Sequence, residues 1–159
     1  MHWLKQLLAA YAVGLCCTVA VQAPRHLMRH VAFISTVGWL AYLLMYEQLH
    51  LTVGVANYAA GLVIAGMAHW FARRYQQPVT VFFIPGFFTL VPGGRMYLTA
   101  LHFIQGDNQL ALQELLNTFV IAVAIALAVF TVDTLMNLLN QRTLPKFIRP
   151  NRQKDRAQK

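Results

Sequence analysis

Charged residues are scarce in this sequence: they make up 11% of the 159 residues, and only five of them are acidic. A soluble domain carries about 25% charged residues, which it needs to cover its surface. Apolar residues instead reach 58%, whereas soluble domains hold about 45–50%. The composition therefore excludes an ordinary water-soluble domain and indicates an integral membrane protein that lies in the lipid bilayer.

Cysteine is also rare, and no catalytic pattern is visible. Cys16 and Cys17 are neighbours in an apolar run, where an ordinary disulfide between them is excluded by geometry. His26 and His30 have the spacing of a helical metal pair, but no third ligand accompanies them. Nucleophile motifs, paired carboxylates and phosphate-binding glycine loops are missing. We therefore expect no enzyme activity, no cofactor and no metal site.

Five long apolar segments fill the chain as far as residue 139. The length of each segment is close to the roughly 20 residues that a helix needs to cross about 30 Å of hydrocarbon. Segments in lipid must be helical, because no water is present to satisfy the backbone. We predict an all-α membrane protein with a transmembrane domain over 1–140, a basic tail over 141–159 and five helices at about 4–22, 29–46, 51–72, 79–105 and 114–139.

Positive charge is distributed unevenly between the two predicted faces. Seven of the 13 lysines and arginines lie between Arg142 and Lys159. Five crossings place this tail on the same face as four more arginines, Arg25, Arg29, Arg73 and Arg74, and leave Lys5 on the other face. The positive-inside rule then predicts a cytoplasmic C-terminus and an outside N-terminus in the cytoplasmic membrane of a prokaryote. Such a tail suits an anionic lipid surface, and we expect no nucleic-acid partner.

The N-terminal segment also has features of a secretory signal, with Lys5 before an apolar stretch and Ala23 at its end. Pro24 would directly follow the cleavage point, which disfavours cleavage. We therefore interpret this segment as the first transmembrane helix.

The fourth segment contains the stretch FFIPGFFTLVPGGR, in which two Pro-Gly pairs interrupt an apolar run. Proline lacks a backbone N–H and disrupts a helix, and irregular backbone at membrane depth is tolerated where it is buried in protein or lines a cavity. A helix that restarts after Pro92 presents free N–H groups with Arg95 in its first turn, which suits a carboxylate. We predict a substrate site formed by Pro85, Gly86, Thr89, Pro92, Gly93, Gly94 and Arg95. The alternative is a kinked packing helix with Arg95 either snorkelling to the membrane interface or paired internally.

Asp133 is an acid inside the fifth apolar segment, where burying a charged side chain in lipid costs free energy. Ionisable groups within the membrane often handle ions or protons, so we predict an ion-coupling role. A hydrogen-bonded structural acid is the alternative. Asp133 lies roughly 9 Å along a helix from its cytoplasmic end, whereas Arg95 is more than a dozen residues from its own. We therefore do not expect the two to pair.

With these residues in view, the chain resembles the threonine/serine exporter family, in particular the short membrane subunit of its split, two-chain form. The resemblance rests on three stretches with their flanking residues: Ile84-Pro85-Gly86 with Leu90-Val91-Pro92-Gly93 and Tyr97, Asn57-Tyr58-Ala59-Ala60-Gly61 ahead of Arg73-Arg74 and Pro78, and Ala23-Pro24-Arg25.

The resemblance implies export of small amino acids or, in related pairs, of dicarboxylates such as succinate. It also implies a larger membrane subunit as partner. We therefore expect one subunit of a secondary transporter for small carboxylate-bearing metabolites, with a homo-oligomer as another assembly. A non-transporting scaffold subunit and a channel-like pore are the alternative functions.

Overall fold

The computed structural model describes residues 2–141, and the predicted basic tail beyond Gln141 lies outside the described residues. Within this range the chain forms helices without strands. The helices are α1 (His2–Ala20), α2 (Met28–Leu43), α3 (Val53–Tyr75), α4 (Val79–Phe88), α5 (Gly93–Gln105) and α6 (Asn108–Gln141). A 3₁₀ turn, Arg25–Leu27, precedes α2, and a π-helical turn, Leu44–Gln48, extends it.

Local sequence accounts for where several helices end and begin. Gln76 ends α3 in a left-handed conformation with φ of 52°, and Pro78 directly precedes α4. Gly106, with φ of 85°, ends α5, because glycine adopts this conformation without steric cost. The turn between α5 and α6 is therefore short, and α6 begins at Asn108, six residues before the predicted start at 114.

Helix directions follow from which residues meet. Trp3 bonds to Glu47 near one end of α1 and α2, so these two helices are antiparallel. In contrast α3 and α6 are parallel, because Gly54 contacts Val120 and Gly61 contacts Ala128. The chain must therefore cross the bundle once between α3 and α6.

That crossing is made by α4 and α5 together, which bend by 49° at their junction. Four single helices are long and apolar enough to span a membrane within the described residues, and α4 with α5 forms the fifth span. A re-entrant loop would have left α3 and α6 antiparallel. The predicted five-helix membrane protein is confirmed.

The fourth span is broken at one place. We call residues 89–92 the break, since α4 ends at Phe88 and α5 begins at Gly93. The first Pro-Gly pair does not interrupt the helix, because Pro85 and Gly86 both lie inside α4. Only the second pair, at Pro92, separates two helices.

The core lies where α2, α3 and α4 pack together. Its largest fully buried side chains include Ile34, Ile64 and Phe82, one from each of these helices. By contrast α6 exposes a long series of large apolar side chains, among them Phe119 and Phe130. Such a surface suits contact with lipid or with another membrane subunit.

The two arginine pairs occupy one end of the bundle. Arg25 and Arg29 flank the start of α2, and Arg73 and Arg74 lie at the end of α3. These ends are held together by His30, whose Nε2 is 2.7 Å from the Tyr75 hydroxyl. The charges therefore segregate as the five-span topology requires. That this end is cytoplasmic stays a prediction.

Candidate functional site

A small cavity lies at the break, with a volume of about 130 Å³. We call it the central cavity. Four segments besides the break itself supply its wall, which consists of Trp39, Tyr42, Val53, Asn57, Thr89, Leu90, Val91, Pro92, Arg95 and Ile121. Pockets for drug-sized ligands measure roughly 300–1,000 Å³. The central cavity is therefore suited to a metabolite of only a few heavy atoms.

Pro92 produces one wall of the cavity by starting α5 there. The first helical bond of α5 runs from the Met96 N–H to the Pro92 carbonyl, at 3.0 Å. The N–H groups of Gly94 and Arg95 consequently donate to no acceptor within residues 2–141. A helix N-terminus with free N–H groups and a partial positive charge attracts anions.

Arg95 brings a full positive charge to the same wall. Its Nη1 donates to Glu114 Oε2 at 3.1 Å, and the two side chains are 34% and 25% exposed. A guanidinium has five N–H donors, and this is the single acceptor that the described residues offer it. The remaining donors are available for a carboxylate, and in other proteins Arg often binds a carboxylate through two parallel hydrogen bonds.

Asn57 provides a neutral acceptor from α3. The residue is only 3% exposed, and its Nδ2 donates to the Val53 carbonyl at 2.8 Å. Its amide oxygen accepts no hydrogen bond from any described residue. The oxygen can thus accept a hydrogen bond from an ammonium group in the cavity.

A second cavity of about 230 Å³ lies on the other side of a wall that Trp39 and Thr89 share. We call it the side cavity. Trp39 is held there by a bond from its Nε1 to Gln6 Oε1 at 3.1 Å, and its ring lies 5.0 Å from that of Tyr42. The Thr89 hydroxyl donates to the Gly86 carbonyl at 2.9 Å. These two side chains therefore separate the central cavity from a mostly apolar space beside α1.

The predicted site residues divide into three groups. Thr89, Pro92 and Arg95 line the central cavity. Gly93 and Gly94 follow at the start of α5 and are exposed, and a Cβ on either would meet no atom within 4 Å. The first Pro-Gly pair lies elsewhere.

Pro85 and Gly86 are buried in the packing between α4 and its neighbours. A Cβ on Gly86 would lie 2.9 Å from Ile64 Cγ2 and 3.3 Å from Ile34 Cγ2. The Pro85 carbonyl lies 3.4 Å from the Ser35 hydroxyl of α2. This side-chain hydrogen bond joins α2 to α4. This pair serves close packing, and the expectation that it forms unwound backbone at the site is corrected.

Asp133 lies far from the central cavity. Its Oδ1 is 2.6 Å from His69 Nε2, and the side chains of Asp133 and His69 are 51% and 15% exposed. Glu114 is the α6 residue that contacts Arg95. It lies about 28 Å from Asp133 along the helix, at 1.5 Å per residue. Arg95 and Asp133 therefore do not pair, as expected. Each has a partner that the sequence did not indicate.

Sequence reasoning missed Glu114, Trp39 and Tyr42. The predicted last helix starts at Glu114, whereas the structure places this residue nearly two turns inside α6. The short turn between α5 and α6 could have indicated the pairing, because an antiparallel hairpin around Gly106 brings Arg95 near Glu114. Within the described residues no group of three or more His, Cys, Asp or Glu is arranged to hold a metal ion.

Comparison with known proteins supplies the family. Residues 6–135 match the family described as "Threonine/Serine exporter, ThrE". The match includes every helix of the fold in whole or in large part, and it includes the break. No curated protein and no solved structure matches the chain. The chain is a multi-pass membrane protein of transporter type, and it belongs to the threonine/serine exporter family.

Proposed function

We propose that this chain is a subunit of a secondary transporter that exports threonine and serine across the cytoplasmic membrane, and that the central cavity is its substrate site. The observation that carries the proposal is the position of Arg95. It lies in the first turn of α5, in the wall of a cavity of metabolite size, at a broken transmembrane span. Transporters of other folds bind substrate at such broken helices.

The chemistry of the wall favours an amino acid. A substrate carboxylate would bind the Arg95 guanidinium and the free backbone N–H of Arg95. The substrate ammonium would donate to the Asn57 amide oxygen. Arg95 is the one cationic side chain among the residues that line the central cavity, so a dicarboxylate such as succinate would leave its second charge without a partner. We therefore rank threonine and serine above dicarboxylates.

An ion or substrate gradient would drive this export, because the sequence has no pattern typical of a nucleotide site. Asp133 with His69 is the proposed coupling group. Its distance from the central cavity means that coupling would act through movement of α6 relative to α3, which the two residues join. The half-helices α4 and α5 would open the cavity alternately to each side.

We further propose a larger membrane subunit as partner. Asp133 supports this, since its side chain is 51% exposed inside a membrane-spanning helix. A carboxylate facing lipid is costly, and such groups generally face protein or a water-filled cavity. A homo-oligomer would cover the same surface and is the alternative assembly.

Efflux of labelled threonine, serine and succinate from preloaded cells tests the proposal. Cells would express this chain alone, this chain with the candidate partner, or the pair carrying Arg95→Ala. Arg74→Ala is the matched control, because Arg74 is exposed at the end of α3 and has no contact with the cavity. We expect saturable efflux from the pair, reduced at least about tenfold by Arg95→Ala as a charged hydrogen bond is lost, and unchanged by Arg74→Ala.

Other outcomes would favour the alternative functions. Efflux that survives Arg95→Ala but fails when helix faces are mutated would indicate a scaffold subunit. Flux that does not saturate and ignores a proton gradient would indicate a channel-like pore. Efflux equally fast with the partner alone would remove this chain from the transport step.

A further inference from the structure

We infer that Glu114 is paired with the Arg95 guanidinium in the substrate-free transporter, and that the substrate carboxylate displaces Glu114 from this pair. The inference rests on the proposed function, because it concerns the same cavity. It assigns to Glu114 a role in setting substrate affinity: the side chain competes with the substrate rather than binding it.

The contact between the two side chains is weak enough to exchange. Arg95 and Glu114 share one hydrogen bond of 3.1 Å, from Nη1 to Oε2. A bidentate pair would use two parallel bonds and be harder to open. Both side chains are partly exposed, at 34% and 25%, so surrounding side chains do not enclose the pair.

Glu114 also has no other anchor. Within residues 2–141 its carboxylate accepts a hydrogen bond from Arg95 alone. The bond that Thr118 donates to this residue goes to its backbone carbonyl, at 2.8 Å. The carboxylate can therefore move to another rotamer without breaking a second side-chain contact.

Position gives the substrate an advantage over Glu114. Arg95 lines the central cavity, whereas Glu114 approaches it from α6 and is not part of the wall. A carboxylate inside the cavity can combine the guanidinium with the free backbone N–H of Arg95, which also lines the cavity. Glu114 uses one guanidinium N–H. The exchange therefore replaces one hydrogen bond by several while the charge on Arg95 stays neutralised throughout.

A purely structural role for Glu114 makes the opposite prediction. If the acid only orients Arg95 toward the cavity, removing its charge must weaken substrate binding. If it competes, removing its charge must strengthen binding. The sign of the change in affinity separates the two roles.

Calorimetric titration of L-threonine measures that sign. The full chain would be purified in detergent together with any subunit that co-purifies. We expect Glu114→Gln to tighten the threonine Kd by about fivefold, the effect of removing one partly exposed ion pair. L-threoninol, which lacks the carboxylate, should show no change in Kd. Asp107→Asn is the matched control, since it removes an acid from the exposed turn beside α6.

The remaining outcomes are distinguishable. A weaker or unchanged threonine Kd in Glu114→Gln would overturn the inference, while loss of binding in Arg95→Ala would leave the proposed function standing. Unchanged binding in Arg95→Ala, or none in the wild-type protein, would contradict the proposed function itself. If Glu114→Gln does not fold, Glu114→Asp keeps the charge but shortens the reach, and it should tighten the threonine Kd as well.

Discussion

Gly61 of α3 and Ala128 of α6 meet so closely that a Cβ on Gly61 would lie 2.7 Å from the Ala128 Cβ. Both residues are buried, and they lie near the middle of the two parallel helices. In lipid, helices associate through such close packing of small residues rather than through hydrophobic burial. The contact therefore fixes the position of α6, which carries both Glu114 and Asp133.

We expect Gly61→Val to separate α3 from α6 and to lower the free energy of unfolding by about 1–3 kcal/mol, as overpacking does in other cores. Gly66→Val is the control, because Gly66 lies in the same helix and a Cβ added there would meet no atom within 4 Å. Thermal unfolding in detergent measures both variants. Equal melting temperatures would show that this contact does not hold the bundle.

Gly86 and Gly93 allow a second comparison, which separates the two Pro-Gly pairs. Gly86→Ala would place a methyl group 2.9 Å from Ile64 Cγ2, so we expect destabilisation of about 1–3 kcal/mol. Gly93→Ala meets no atom and lies in a helix, where alanine is favoured by up to about 1 kcal/mol. Melting temperatures should therefore fall for Gly86→Ala and stay level or rise for Gly93→Ala. The reverse order would show that Gly86 is not the closely packed glycine of the two.

The sequence predicted the spans but not their internal contacts. Apolar runs and the distribution of arginine are properties of the chain itself, so five crossings could be counted without a structure. Whether Pro85 interrupts its helix depends on neighbours such as Ser35 and Ile64, which belong to other segments. Sequence spacing carries no information about them.

The site was predictable in the same partial way. Pro92 and Arg95 indicate a helix start with a charge, and both line the central cavity. Asn57 and Trp39 reach the cavity from α3 and α2, and the sequence does not show which face of each helix is turned toward it. The partner of Arg95 was missed because the predicted start of the last helix left Glu114 at its very end.

The parallel arrangement of α3 and α6 predicts which loops share a side of the membrane. Single cysteines would replace His26, Gln76 or Asp107, all exposed, in a chain whose two native cysteines are changed to serine. A membrane-impermeant maleimide should label Asp107→Cys on intact cells and the other two only after permeabilisation. Labelling of Asp107→Cys together with Gln76→Cys would mean that α4 and α5 do not cross.

Asp133 and His69 should behave as one unit in transport, because their side chains are 2.6 Å apart. We expect Asp133→Asn and His69→Gln each to abolish acceleration of threonine efflux by an imposed pH gradient. Saturable exchange without a gradient should remain, since Ile121, the cavity residue on α6, is about 18 Å away along the helix. Asp107→Asn serves as the control for loss of an acid. A gradient response that persists in both variants would make the pair a structural hydrogen bond.

Asn57 is expected to bind the substrate ammonium, and this can be tested apart from the carboxylate. Asn57→Leu removes the free amide oxygen while keeping the size of the side chain, so threonine binding should weaken about tenfold, as for other hydrogen bonds to charged groups. The Kd of 3-hydroxybutyrate, which is threonine without its ammonium, should not change. Asn117→Leu on the exposed face of α6 is the control. If Asn57→Leu weakens the binding of both ligands equally, Asn57 only shapes the cavity. If the variant binds both ligands as tightly as the wild-type protein does, the ammonium binds elsewhere.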